Sequence, residues 1–373
     1  MCTKTVMDST DPNIRFDENG VCNWWHEYRA AMGGLGTPED RKRKLESTVA
    51  KIKDLGKNRE YDCILGLSGG VDSSYMALLA KELGLRPLVV HFDNGWNSEL
   101  AVQNIETMVN KLGFKLHTFV MDWPEFRDIQ RSYFKASVLD LEVPTDHMIF
   151  GALNKIAAKH NIRFILSGNN MWTEFILPHA WFYNKFDYAN MRDIHRQYGA
   201  VPIRKLPGMG MWHITWYSAV RWVNDFKILD CVEYKKNEVK KQLQSELGWR
   251  DYGGQHYESV FTRFYQEYIL PNKFNIDKRK PHYSNLICAG ELSREDALAD
   301  LRKPTYDPAL QLEDKAFVAK KLGFSTDEFE EVLTQSNRDH REFKTDQAAR
   351  ERYKWFMQVT KPFRLFKVRK KLV

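Results

Sequence analysis

Cysteine is scarce in this sequence: the 373 residues include five, at positions 2, 22, 63, 231 and 288. A disulfide scaffold needs more cysteines at closer spacing, so that class of protein is excluded. Long apolar runs are also missing, since no stretch approaches membrane-spanning length and no apolar signal segment follows the start. We therefore expect a soluble, cytoplasmic protein.

An excess of acidic residues is missing too. Lysine and arginine number 56 against 49 aspartates and glutamates, so the formal net charge is +7. This mildly basic balance suits a polyanionic small molecule, a nucleotide-bearing ligand or tRNA, and it does not choose among them. A hydrophobic content of 43% fits a folded chain, and the length predicts one large or two ordinary domains.

The glycine-rich loop near residue 69 lacks the G-x-x-x-x-G-K-[ST] pattern of a Walker loop. Residues 63–67 predict a buried parallel strand, and residues 75–83 predict a helix. Between them, Gly69 and Gly70 permit close approach of the backbone, and N–H groups at the helix start would face an anion. The sequence therefore predicts a phosphate site formed by Ser68, Gly69, Gly70, Val71, Asp72, Ser73 and Ser74.

Strands and helices alternate from residue 60 onward. The apolar patterns predict further strands at 86–92, 116–121 and 163–166, with helices between them. Such alternation indicates an α/β fold, a doubly wound and mainly parallel sheet with helices on both faces. Ligands of these sheets bind beyond the carboxyl ends of the strands, so three loops are expected to converge there: 68–74, 93–97 and 167–170.

The second and third of these loops carry residues that suit a nucleotide. Phe92 and Asp93 end the second predicted strand, where a carboxylate and small polar groups would meet adenosine. Ser167, Gly168 and Asn169 would let the backbone approach a base or ribose. The alternative is that these residues only form turns, because aspartate, asparagine, serine and glycine all favour them.

The N-terminal stretch predicts a small hairpin at Asn19-Gly20 and a helix over residues 37–58. Two C-x-x-C pairs across such a hairpin would bind zinc, but the third places after Cys2 and Cys22 hold Thr5 and Trp25. We expect no structural zinc here.

Three later stretches are distinctive. Residues 171–226 are rich in tryptophan and tyrosine, which suits core packing, a sugar or uridine platform, or a protein interface. Residues 227–234 predict a strand and 237–247 a helix. Residues 271–282 are strongly basic, which fits either a solvated loop or a pyrophosphate site.

The loop at 68–74 resembles the PP-loop of the ATP pyrophosphatases, which split ATP into AMP and pyrophosphate. Most of residues 1–300 is similar to the N-acetyl sugar amidotransferases of bacterial surface-polysaccharide synthesis, of the O-antigen and pseudaminic acid type. The stretches that carry this resemblance are Phe16-Asp-Glu-Asn-Gly-Val-Cys22, the PP-loop, Phe92-Asp-Asn-Gly-Trp96, Gly248-Trp249, Tyr252-Gly-Gly-Gln-His-Tyr-Glu-Ser259, Phe274-Asn-Ile-Asp-Lys-Arg279 and Gly290-Glu-Leu-Ser-Arg-Glu-Asp-Ala-Leu298.

The resemblance implies an adenine nucleotide alpha hydrolase-like fold and a reaction. An acetamido group of a nucleotide-linked sugar would be adenylated by ATP and converted by ammonia to an acetamidino group, in lipopolysaccharide O-antigen synthesis. ATP and Mg²⁺ would be the cofactors, with Asp72 helping to hold the metal. Lys278 and Arg279 would neutralise the charge that develops on pyrophosphate, and Lys273 is a further candidate for this role. His256 and Glu258 would orient the sugar or take a proton from ammonia.

The resemblance also implies partners. Ammonia would come from a separate glutaminase, like the subunit of imidazole glycerol phosphate synthase, together with its barrel partner. The substrate would be a UDP-linked diacetamido uronic acid, and no nucleic acid is expected. Two alternatives stay open: a PP-loop enzyme that modifies tRNA, and a non-catalytic scaffold of a polysaccharide-synthesis complex.

The predicted domains are a hairpin and linking helix over 1–58, a PP-loop domain over 59–235, and a mainly helical substrate or pyrophosphate region over 236–373. The last ten residues form a basic tail.

Overall fold

The computed structural model describes residues 1–254 and 257–359, apart from the side chains of 218, 219 and 354–359. Within this part of the chain five parallel strands form one sheet. Their bounds are β1 Cys63–Gly66, β2 Pro87–Asp93, β3 Lys115–Val120, β4 Phe164–Ser167 and β5 Asn224–Lys227.

Helices surround the sheet and form the C-terminal region. Those that precede β5 are α1 Asn23–Gly34, α2 Pro38–Gly56, α3 Val71–Glu82, α4 Glu99–Leu112, α5 Trp123–Ala136, α6 Val143–Lys159, α7 Met171–Glu174, α8 Tyr188–Tyr198 and α9 Met211–Ala219. Those that follow are α10 Lys236–Leu247, α11 Val260–Phe264, α12 Leu270–Phe274, α13 Arg279–Cys288, α14 Arg294–Leu301, α15 Pro308–Leu322, α16 Thr326–Thr334 and α17 Gln347–Val359. A single π-helical turn, Tyr265–Ile269, joins α11 to α12.

The strand order is β3-β2-β1-β4-β5. The chain runs outward from β1 to β3, returns across the sheet, and continues on the other side of β1. The order therefore reverses between β1 and β4, whose register pairs Ile64 with Ile165. Ligands of doubly wound sheets bind at such a switch point, beyond the carboxyl ends of the two strands.

The two faces of the sheet are covered by different helices. Successive side chains of a strand point to opposite faces. Cys63 and Leu65 pack with Met76 of α3 on one face, whereas Ile64 packs with Leu153 of α6 on the other. The predicted α/β fold, with a parallel sheet and a helical C-terminal region, is confirmed.

A larger apolar cluster lies among the helices of the C-terminal region. The ring of Phe329 in α16 contacts those of Phe134 in α5 and Phe264 in α11 there. Met7 and Trp24, from the start of the chain, belong to the same cluster. The N-terminal segment is therefore packed into the C-terminal core, although all five strands of the sheet lie between the two in sequence.

The strand predicted at 227–234 is wrong in position. The fifth strand ends at Lys227, and the chain then turns in a 3₁₀ segment, Ile228–Cys231. The turn has a physical cause, because the carboxylate of Asp230 is buried and accepts a hydrogen bond from the backbone N–H of Met171 at 2.7 Å. A continued strand would remove Asp230 from this donor.

Of the two interpretations of the basic stretch 271–282, a solvated loop does not describe most of it, because the stretch is largely helical. Helix α12 covers Leu270–Phe274 with Pro271 in its first turn, where proline is tolerated, and α13 begins at Arg279. At the predicted hairpin, the turn at Asn19-Gly20 is present, but it closes through a single antiparallel bridge between Phe16 and Cys22.

In the described part of the chain, no helix combines the length and apolarity that crossing a membrane requires. The proposed domain boundaries at 58 and 235 stay predictions. The basic tail lies outside the described residues.

Candidate active site

The loops after β1 and β4 meet at the switch point. A Cβ atom added to Gly168 would lie 3.6 Å from the backbone nitrogen of Ser73, so the second loop touches the start of α3. Asn170 reaches the same place, because its side-chain amide donates to Asp72 Oδ1 at 3.4 Å. Two of the three loops predicted to converge are thus in contact.

The start of α3 is built to receive an anion. Its N-cap is Gly70, and no side chain caps the first turn. The N–H groups of Val71, Asp72 and Ser73 have no intrahelical partner, as in the first turn of any helix, and they carry the positive end of the helix dipole. These two properties favour phosphate at this position.

Hydroxyl groups hold the loop in shape. Ser68 Oγ and Ser73 Oγ lie 3.1 Å apart, and Ser73 Oγ donates to the carbonyl of Gly70 at 3.0 Å. Ser74 Oγ donates to the carbonyl of Gly69 at 3.4 Å. The serines therefore preorganise the loop in addition to supplying polar atoms for a ligand.

Two aromatic residues that follow the last strand in sequence hold Gly69 in place. Trp249 Nε1 and the Tyr252 hydroxyl both donate to the carbonyl oxygen of Gly69, at 2.8 and 2.9 Å. The sequence pattern around these two residues predicts no role at the loop. Nothing local marks them as loop contacts, since 180 and 183 positions separate them from Gly69.

Asp72 is held by two neutral donors. The Tyr234 hydroxyl and the Asn170 amide both donate to Oδ1, while Oδ2 accepts no hydrogen bond from the residues that the structure describes. Burial, and then the charge of Asp72, raise the pKa of Tyr234 well above its usual value, so tyrosine remains a donor at neutral pH. An oriented carboxylate oxygen beside a phosphate site is a suitable ligand for Mg²⁺.

The segment from Glu258 to Val260 pairs with the chain just before α4. The N–H of Ser98 donates to the carbonyl of Glu258 at 2.9 Å, and Asn97 forms an antiparallel bridge with Ser259. A Cβ added to Gly70 would lie 3.4 Å from the Glu258 carboxylate. The structure therefore brings Glu258 to the PP-loop. His256 lies outside the described residues.

The loop after β2 forms a turn. Asp93 Oδ1 accepts a hydrogen bond from the N–H of Gly95 at 2.9 Å, and Phe92 stacks on Phe119 with ring centroids 5.5 Å apart. After β4, Ser167 Oγ accepts from the N–H of Asn169 at 3.3 Å. The two hydrogen bonds are those of turns. That these residues bind adenosine stays a prediction.

Lys273 and Arg279 are engaged elsewhere. Lys273 Nζ donates to three carbonyls at the end of α16, those of Val332, Leu333 and Gln335. Arg279 pairs with Asp277 at 2.8 Å and donates to carbonyls at the end of α14. Cations favour helix C-termini, which explains both arrangements. Neither side chain has a described contact with residues 68–74, and their role with pyrophosphate stays untested.

The two N-terminal cysteines are buried side by side. The backbone N–H of Cys22 donates to Cys2 Sγ at 3.1 Å, and the Thr5 hydroxyl lies 3.5 Å from Cys22 Sγ. The hydrogen bond from the Cys22 side chain lowers the pKa of the Cys2 thiol. In the described part of the chain, no three His, Cys, Asp or Glu side chains are grouped closely enough to hold a metal ion.

Comparison with protein families finds two matches. Residues 258–360 match the family described as LPS biosynthesis protein WbpG-like, C-terminal domain, and residues 44–140 match NAD synthase. The first match begins at Glu258, and the second includes the PP-loop. No curated protein matches the chain.

Solved structures give distant alignments. An NMN synthetase from Francisella tularensis aligns with 15% identity over 58% of this chain and 89% of its own, with a TM-score of 0.30. An NH3-dependent NAD synthetase from Campylobacter jejuni, in complex with the nitrate ion, aligns with 16% identity over 78% and 97%, with a TM-score of 0.31.

Proposed function

We propose that this chain, which joins an NAD synthase-like PP-loop segment to a WbpG-like C-terminal domain of LPS biosynthesis proteins, is an ATP-dependent sugar amidotransferase. It converts the acetamido group of a nucleotide-linked sugar to an acetamidino group and releases AMP and pyrophosphate. The observation that carries the proposal is the uncapped start of α3 at the switch point, with Glu258, the first residue of the WbpG-like segment, beside it.

Activation of the amide explains the need for ATP. An amide carbon resists ammonia because its oxygen is a poor leaving group. In the first step the amide oxygen bonds to the α-phosphorus, the bond from that phosphorus to the bridging oxygen breaks, and pyrophosphate leaves. Ammonia then bonds to the imidate carbon, the carbon–oxygen bond breaks, AMP leaves, and a base takes one proton.

The residues of this chain act mainly by position and charge. The N–H groups of Val71, Asp72 and Ser73 hold the β and γ phosphates and stabilise the charge that develops on pyrophosphate. A Mg²⁺ ion held by Asp72 with the phosphates would neutralise further charge. Glu258, whose carboxylate lies beside Gly70, is positioned to accept the proton from ammonia. No covalent protein intermediate is needed.

We propose that ammonia is supplied by a separate glutaminase subunit with its barrel partner. Cys2 could imitate an N-terminal nucleophile only if it were accessible, and its side chain is fully buried. The purified chain should therefore form product with ammonium and form none with glutamine until the partner is added. Glutamine use by the chain alone would refute a separate supply.

The tRNA-thiolation alternative needs a reactive cysteine. Cys63 lies in β1 and Cys231 in the turn after β5, both buried, and burial raises the pKa of both thiols. A buried thiol with a raised pKa is a poor nucleophile. These two positions favour the sugar amidotransferase over that alternative.

The test is a product balance. Purified protein receives ATP, Mg²⁺, ammonium and a panel of UDP- and CMP-linked acetamido sugars, among them a UDP-linked diacetamido uronic acid. We expect AMP and pyrophosphate in equal amounts, with an amidino sugar identified by mass spectrometry. Formation of ADP in place of AMP would refute the reaction.

The Asp72→Asn variant tests the metal ligand. Removing the charge while keeping the shape should lower turnover by at least about 10²-fold, the scale of losing one oriented electrostatic contact. Asp327→Asn is the matched control, because Asp327 holds the same second position in its helix, α16, and is exposed there. Equal activity of Asp72→Asn and the control would remove the metal assignment.

A further inference from the structure

Three side chains from separate elements interact with one another: Gln266 donates a hydrogen bond to Glu142, and the charge of Glu142 acts on Lys278. Glu142 is the N-cap of α6, Gln266 lies in the π-helical turn Tyr265–Ile269, and Lys278 is the N-cap of α13. We call these three residues the Lys278 cluster. The cluster thus combines two groups of opposite charge and an amide, and Glu142 lies 124 positions before Gln266 in the sequence.

Lys278 is an ammonium without a hydrogen bond. It makes neither a hydrogen bond nor an ion pair within 4.0 Å with any residue that the structure describes, although part of its surface remains accessible. Burial lowers its pKa, while the charges of Glu142 and Asp140 act in the opposite direction. An ammonium that is closely surrounded by protein and has no hydrogen-bond acceptors costs folding free energy, unless a ligand or water supplies those acceptors.

Glu142 is nearby but does not pair with Lys278. Its carboxylate accepts a hydrogen bond from Gln266 Nε2 at 3.1 Å, and burial raises its pKa. Lys185, a nearby lysine, does pair directly with carboxylates: its Nζ lies 2.8 Å from Asp140 and 3.1 Å from Asp146. Lys185, outside the cluster, is therefore paired, whereas Lys278 has no ion-pair partner within 4.0 Å among the residues that the structure describes.

The π-helical turn gives the cluster its third member. Such a turn inserts an extra residue into a helix, re-aims the side chains around it, and is frequent at functional sites. Here the Tyr265 hydroxyl donates to the carbonyl of Leu139 at 2.8 Å, which ties the turn to the segment that precedes Glu142. Gln266 is thereby held against Glu142.

The topology places the cluster at the same edge as the PP-loop. Helix α6 leads into β4, which is parallel to β1, so the N-terminus of α6 lies at the carboxyl edge of the sheet. The helical run that carries Gln266 begins at Val260, next to Glu258. At a helical rise of 1.5 Å per residue, Gln266 is roughly 12 Å along the chain from Glu258.

We propose that the Lys278 cluster binds the hydroxyl- and amide-bearing sugar ring of the acceptor, while ATP occupies the switch point. The proposal rests on the function proposed above and names where its second substrate is held. A group placed between an ammonium and a carboxylate must both accept and donate hydrogen bonds, which sugar hydroxyls do. Pyrophosphate only accepts, and Glu142 would repel it, so Lys278 is assigned to the sugar and not to the leaving group.

The test separates the two substrates. Lys278→Met and Glu142→Gln are compared with the wild-type protein and with Lys303→Met, a lysine that is 72% exposed and pairs with Asp300 on the surface. Loss of a hydrogen bond to a charged group should raise the KM for the sugar nucleotide at least about tenfold in both cluster variants. The KM for ATP should change less than twofold, and Lys303→Met should match the wild type.

Two results would overturn the proposal. A raised KM for ATP with an unchanged KM for the sugar would assign Lys278 to phosphate. Unchanged values for both substrates, with a higher unfolding temperature in Lys278→Met, would make Lys278 a buried structural lysine.

A binding measurement keeps this result distinct from the proposed function. UDP-N-acetylglucosamine is titrated by calorimetry into the wild-type protein, Lys278→Met and Lys303→Met without ATP. Loss of binding in Lys278→Met alone supports the cluster even if no acceptor of the panel is turned over, in which case only the proposed reaction fails. Turnover by the wild type with equal binding by all three proteins means that the cluster proposal fails and the reaction stands.

Discussion

Gly69 has a backbone φ of +85°, and two donors, from Trp249 and Tyr252, converge on its carbonyl oxygen. A Cβ atom at this position would lie 2.8 Å from the carbonyl oxygen of Ala101 and 2.8 Å from the Tyr252 hydroxyl. Glycine is therefore required here for two reasons, the backbone angle and the space. The loop is fixed from outside as well as by its own sequence.

The variant Gly69→Ala tests this double requirement. The backbone angle alone should cost about 1–2 kcal/mol of unfolding free energy, and the clash with Ala101 should add to it and displace the phosphate-binding N–H groups. The control is Gly290→Ala, where φ is +77° and no atom lies within 4 Å of the added Cβ. We expect urea unfolding to show a larger loss for Gly69→Ala, and ATP binding to weaken in that variant only. Equal losses in both would mean that the contacts of Gly69 are not important.

At the scale of single residues, the sequence predicted the loop residues that would bind phosphate. It did not predict the residues that hold those loop residues in place. Gly69, Gly70 and Asp72 stand in one short run whose chemistry is local. Trp249, Tyr252 and Tyr234 act on that run through hydrogen bonds that exist only after distant segments pack. Their sequence neighbourhoods are typical of core aromatic residues, so no local signal distinguishes them.

At the scale of elements, the π-helical turn buries a carboxyl group and changes its pKa. Glu267 lies in this turn, and the Tyr257 hydroxyl donates to its Oε2 at 3.0 Å. Burial raises the pKa of Glu267 from an ordinary value of 4.5 to about 7. The folded chain thus holds this proton more tightly than the unfolded chain does.

A pH dependence of stability follows from Glu267. Because its folded pKa is the higher one, its contribution is fully present below about pH 4.5 and is lost as the pH rises to about 7. Glu267→Gln, which imitates the protonated form, should remove this part of the slope. We expect the wild type to lose stability relative to the variant between pH 5 and pH 7.5, by an unfolding-temperature difference on the order of 2 °C. The exposed Glu331→Gln should follow the wild type, and parallel curves for Glu267→Gln and wild type would contradict the prediction.

Element positions were predicted well where periodicity was strong. The strands at 86–92 and 116–121 were placed within one residue of β2 Pro87–Asp93 and β3 Lys115–Val120. The strand at 227–234 was misplaced, because the apolar run that suggested it is buried by a 3₁₀ turn around Asp230. A short apolar run does not distinguish these two ways of becoming buried.

At the scale of the whole molecule, the N-terminal segment is joined to helices α13 and α14 of the C-terminal region. Arg294 of α14 donates to the carbonyls of Thr5 and Cys2 at 3.0 and 2.9 Å, across 289 and 292 positions of sequence. Lys280 pairs with Asp8 at 2.7 Å. The cysteine-bearing N-terminal segment is therefore held by the WbpG-like part of the chain.

Arg294→Met tests this attachment. Losing two hydrogen bonds from a charged donor should cost about 1.5–3 kcal/mol and loosen the segment, so the buried thiols of Cys2 and Cys22 should react faster with a thiol reagent. ATP binding should be unchanged, because Arg294 has no described contact with the PP-loop. The control is Arg302→Met, an exposed arginine eight positions further on. Unchanged thiol reactivity in Arg294→Met would show that the segment is held by other contacts.

The sequence by itself determined the α/β class, the position of the phosphate loop and the carboxylate beside it, because apolar periodicity and glycine-hydroxyl chemistry are local properties. Only the tertiary structure decided which side chains serve that loop. It brought Glu258, Trp249 and Tyr252 to the loop and turned Lys273 and Arg279 toward helix ends. The physical reason is that a hydrogen-bond donor takes the acceptor that packing places next to it, and packing joins segments whose separation no local pattern records.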